Sequence, residues 1–202
     1  MMGLAAGCGT NASETPEQEP VFRGIADSCA EIAAPAMDVI RAYTGELFSD
    51  TTQFEETGAP STAVDLTTRE CRATYAASAA PAVPATGFPP SRRVFHLRIA
   101  LRGGDDALEA AERDFDSACA SVDCRATTGI GDESFEGSVE GSSNTAITMF
   151  RSRNAIVSVT VDGSDFSSRP GENGRSAEIS ELVPGSRTVA QAIAANLNAV
   201  LT

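Results

Sequence analysis

Apolar and polar residues alternate most cleanly over Val94–Arg102. Phe95, Leu97, Ile99 and Leu101 fall on one side, with His96, Arg98 and Arg102 on the other. A period of two is that of a half-buried strand. Ala155–Val161 repeats the pattern, with Val157, Val159 and Val161 alternating with Ser158 and Thr160, and Thr145–Arg151 precedes it with Ile147 and Met149 on one face. A turn at Ser152–Asn154 makes these two a hairpin. Cys71–Ala77 reads as another strand, with Cys71, Ala73, Tyr75 and Ala77 on one face; a short strand is expected near Val64–Thr68.

Helical spacing appears in three places. Ala36, Val39, Ile40 and Tyr43 make one apolar face over Pro35–Thr44, closed by Gly45. Ser28-x-x-Glu31 reads as a capping box, so an earlier start with a kink at Pro35 stays open. Leu108, Ala111, Phe115 and Ala118 form the stripe of a helix from Asp105 to about Cys119, with acidic residues in its first turn to complement the helix dipole. Val189, Ile193, Leu197 and Val200 mark a last helix, expected from an N-cap at Ser186 to Leu201. Ala79–Pro90, with four prolines, and Asp162–Gly185, polar and glycine-rich, read as loops.

Three helices and about five strands predict a single α+β domain over residues 23–202. Its antiparallel sheet is expected to carry the helices on one face.

Composition narrows the functional classes. The formal net charge is -13, so a nucleic acid is a poor partner. All 15 cationic residues are arginine, which excludes Schiff-base lysine chemistry and the P-loop lysine.

The N-terminus carries the sharpest motif. Leu4-Ala5-Ala6-Gly7-Cys8 reads as the processing site of a bacterial lipoprotein, in which Cys8 becomes the lipidated first residue. Met1–Gly7 is then a truncated signal-peptide remnant, and residues 8–22, rich in Pro and Glu, a flexible tether. One acyl chain binds marginally, whereas a multiply acylated cysteine holds stably. The expected location is the extracytoplasmic face of a cell membrane.

Four cysteines remain. They allow three pairings, of which Cys29–Cys71 with Cys119–Cys124 is expected, contributing about 4 and about 2 kcal/mol by chain entropy. Disulfides fit an oxidising compartment. No C-x-x-C pair exists, and the single histidine, His96, is remote from the cysteines, so neither a metal nor a cofactor is expected.

Taken together, Cys8 and its tether, Cys29 opening a helix, Cys71 opening a strand, Gly129–Phe135, the hairpin Met149–Val159 and the alanine-rich last helix resemble a family of actinobacterial lipoproteins. That family has a two-disulfide domain of unknown function. A weaker similarity is to the extracellular sensor domains of mycobacterial Ser/Thr kinases. The resemblance implies location and general fold and brings no substrate.

Other chemistry is sparse. His96 has no G-x-S-x-G partner motif for a triad. Gly103-Gly104-Asp105-Asp106 reads as a helix start. Gly129, Gly131, Asp132 and Glu133 form a candidate ligand loop, though without the spaced oxygens of a calcium site. Arg92–Arg93 could meet an anionic polymer. No catalytic residue is singled out. The expected function is non-enzymatic: a membrane-anchored module binding an envelope protein or small ligand. The alternatives are a carboxylate-dependent hydrolase of envelope polymers and a passive structural surface protein.

Overall fold

The computed structural model describes residues 21–77, 91–138, 144–165 and 175–202. Cys8, and nearly all of the tether and the proline-rich stretch, lie outside the described residues.

Among these residues nine strands form one antiparallel sheet. They are β1 Glu55–Glu56, β2 Ser61–Ala63, β3 Leu66–Ala76, β4 Arg92–Arg102, β5 Asp123–Thr127, β6 Glu133–Ser138, β7 Thr145–Ser152, β8 Ala155–Asp165 and β9 Arg175–Ser176. The order across the sheet is β1-β3-β4-β8-β7-β6-β5, with β2 also on β3 and β9 on β8. The helices are α1 Cys29–Ala33, α2 Met37–Thr44, α3 Ala107–Ala120, α4 Ile179–Ala195 and α5 Leu197–Val200. The α+β class is as expected, but the sheet holds more than about five strands. The extra ones are mostly short edge pieces, too brief to show a period.

The helices do not share one face. Cys71, Ala73, Tyr75, Phe95, Leu97, Ile99, Val157, Val159 and Val161 form the larger core with Ile32 and Ile40 from the first two helices, and Leu182, Val189 and Ile193 from α4. Each fully buried aliphatic chain there contributes about 1.5–3 kcal/mol. Helix α3 lies on the opposite face. Its Ala111 and Phe115 pack on Ala100, Phe135, Ile147, Met149 and Ile156. The reason is visible in the strands: the polar side of β4 and β8 turns apolar at Ala100 and Ile156, leaving a second patch that needs cover.

Local sequence set several boundaries. Ser28 accepts from the Glu31 amide at 3.2 Å and Glu31 accepts from the Ser28 amide at 3.1 Å, so the helix starts early. Ala34–Ala36 is a 3-10 turn carrying Pro35, and the helix resumes at Met37. Between β2 and β3 the chain turns at Val64–Asp65, with Asp65 at φ 64°. The strand expected near 64–68 is thus a turn followed by the start of β3. Helix α3 starts at Ala107, two residues later than expected; Asp106 makes no capping bond and reaches Arg113 at 3.2 Å instead.

The last helix begins at Ile179, not at an N-cap on Ser186. Glu178 and Glu181 form a reciprocal capping box. Pro184 sits within the second turn, where it withholds only one helical hydrogen bond. Ser186 is fully buried and bonds Thr148 of β7 at 2.9 Å. Gly185 lets the helix approach α2: a Cβ there would lie 2.5 Å from the Tyr43 ring. Glycines and a proline made this turn of helix read as loop. The segment expected to be loop from Asp162 also begins as strand, since β8 runs to Asp165.

Both expected disulfides are present, Cys29–Cys71 and Cys119–Cys124. The first joins α1 to β3; the second closes the short link from α3 to β5. Phe22, just ahead of residue 23, is buried, and its backbone N–H and C=O are both bonded by the Asn154 side chain, each at 2.9 Å.

Candidate functional site

Among the described residues, α3 covers only part of the second sheet face and leaves the rest of it open. Register defines what it shows. His96 on β4 pairs across the strands with Arg72 on β3 and Thr160 on β8. Arg98 pairs with Glu70 and Ser158, and Val94 with Asp162. These positions share one face because strand side chains alternate. Glu70, His96, Arg98, Ser158, Thr160 and Asp162 line a concavity there, rimmed further by Thr57 and Thr145, with a volume of about 330 Å³.

Within it, Arg98 Nε donates to Glu70 Oε1 at 3.0 Å. His96 Nε2 lies 3.8 Å from Asp162 Oδ2, and His96 is 43% exposed. Burial lowers the imidazole's pKa below 6.5, and the Arg72 charge lowers it further; Asp162 and Glu70 oppose this. His96 is therefore held towards its neutral form, able to donate and accept one hydrogen bond. The groove offers the Arg98–Glu70 pair, Asp162 beside the imidazole, and hydroxyls.

The other sequence candidates serve the fold. Gly129 and Gly131 adopt φ of 81° and 61°, and the buried Ile130 between them joins the larger core. A Cβ on Gly131 would strike the Phe150 ring at 2.8 Å and the Arg151 carbonyl. Asp132 accepts from the Arg153 amide at 2.6 Å, and Glu133 pairs with Arg151 at 3.1 Å. The loop's carboxylates are thus committed to clamping β6 against the β7–β8 turn. Arg93 is likewise occupied: it pairs with Asp165 at 2.9 Å and bonds the Ser164 carbonyl. Among the described residues no set of three His, Cys, Asp or Glu is placed to hold a metal ion.

Glu70, Arg72 and Asp162 were not singled out by sequence reasoning. Ser158 and Thr160 were visible as the polar half of an alternation. What brought them to His96 was the pairing of β4 with β3 on one side and β8 on the other, a long-range contact with no local signature.

Comparison with protein-family models, with curated proteins and with solved structures gives no match.

Proposed function

We propose that this chain is a lipid-anchored extracytoplasmic module that binds a small ligand or a partner protein in the groove around His96. The observation that carries this reading is the half-uncovered sheet face. A sheet face left polar, concave and equipped with an imidazole beside Arg98–Glu70 and Asp162 is a surface built to meet something other than its own core. A volume near 330 Å³ is at the small end of ligand pockets. The two disulfides support an oxidising location, and Cys8 in its small-residue context supports the anchor. No helix among the described residues is long and apolar enough to cross a membrane, so the lipid is the attachment this reading needs.

The test is a panel of envelope-derived small molecules and peptides followed by amide NMR on isotope-labelled protein. Shifts confined to strands β3, β4 and β8 and lost in His96→Ala are expected. A panel that moves no groove amide would leave the passive surface role as the better reading. Turnover of an envelope polymer that disappears in Glu70→Gln or Asp162→Asn would replace binding by hydrolysis.

A further inference from the structure

The point where the chain enters the domain fixes which end lies nearest an anchor on Cys8. Val21 and Phe22 sit beside the β7–β8 turn, because Asn154 holds both backbone groups of Phe22 and the Arg153 guanidinium stacks over its ring at 5.0 Å. The β2–β3 turn and the β4–α3 link meet at the same end: the Gly103 amide donates to the Asp65 carbonyl at 2.9 Å, and Arg102 to Asn154 at 2.9 Å. The C-terminus is tied there too, with Thr202 accepting from Gly24 at 2.8 Å.

Two large apolar side chains are exposed among the described residues, Val21 at 39% and Val64 at 90%. Both belong to this end. Val21 lines a cavity of about 420 Å³ there, together with Ala63 and Asp65, the residues flanking Val64. The open part of the second sheet face lies towards the other end, around His96 and Asp162.

We propose that the domain rests end-on against the bilayer, with Val21 and the Val64 turn at the lipid surface and the His96 groove turned away from it. This orientation rests on the anchor reading given above. The chain from Cys8 to Val21 cannot extend beyond about 45 Å, so it holds this end at high local concentration near the membrane. An isolated exposed valine is ordinary on a soluble surface; here both exposed valines sit where the tether delivers them. The proposed contact is carried by the two valines and the tether; Arg102 and Arg113 near this end are already paired with Asp114 and Asp106.

The absence of tryptophan from the chain allows a direct test. Val64→Trp places an indole in the β2–β3 turn, and Thr74→Trp places one near the far end of β3. Each protein is coupled through Cys8 to a maleimide lipid in phosphatidylcholine vesicles, with and without brominated acyl chains. The V64W indole is expected to be quenched by bromolipid at least twofold more than the T74W indole, with blue-shifted emission. Equal quenching, or stronger quenching at position 74, would overturn the orientation. Because the lipid is attached chemically, this result is independent of native acylation, which the intact mass of the membrane-derived protein reads separately.

Discussion

At the residue scale, Asn154 has the largest effect for its size. It is fully buried in the β7–β8 turn, and its side chain bonds the Phe22 amide and carbonyl as well as the Arg102 carbonyl. Truncation leaves buried backbone groups without partners, each costing about 1–3 kcal/mol. Asn154→Ala is expected to lower unfolding free energy by about 2–4 kcal/mol in urea. A value within experimental error of wild type would mean water replaces all three bonds. In the sequence Asn154 was only a turn residue, because its partners lie 132 and 52 positions away. His96 was likewise legible as an outward-facing strand residue, but its surroundings were not.

At the element scale, the two disulfides do different work. Cys29–Cys71 closes a separation of 42 residues and ties α1 to the long strand β3. Cys119–Cys124 closes only 5 and staples the α3–β5 link. The chain-entropy cost of an open loop grows with its length. Replacing Cys29 and Cys71 by serine is expected to cost about 4 kcal/mol, against about 2 kcal/mol for Cys119 and Cys124. Equilibrium denaturation of the two double variants checks the order; a larger loss at the short bridge would contradict it. A second element-scale feature is the seating of α4. Arg187 grips the nearly buried Glu136 with two nitrogens, and Tyr43 of α2 donates to the Glu181 carbonyl at 2.9 Å. Together with Gly185, these contacts draw α4 closer to both sheet and helix than its apolar stripe alone requires.

For the whole molecule, the uneven covering of the sheet bears on the pH response and on the binding role proposed above. Among the described residues four helices cover one face and one covers part of the other, and the groove lies on what these leave uncovered. Its histidine has a folded pKa below the ordinary 6.5. Between those two values the unfolded chain binds a proton that the folded one does not. The contribution of His96 to stability is therefore full above pH 6.5 and is lost as pH falls through its folded value. Urea midpoints between pH 7.5 and 5 are expected to fall less for His96→Gln than for wild type. Parallel curves would remove His96 as the titrating group.

The sequence by itself determined the α+β class and the strand faces, because these follow from short-range periodicity; it left the start of the first helix open between Ser28 and Pro35 and allowed three cysteine pairings, of which the favoured one is present. It also raised the expectation of lipidation at Cys8, which lies outside the described residues. Only the tertiary structure decided that α3 crosses to the opposite face, since that depends on apolar patches from five separated segments coming together. The same holds for the groove: Glu70, His96, Ser158 and Asp162 become neighbours through strand pairing alone, and no local pattern along the chain encodes which strands pair.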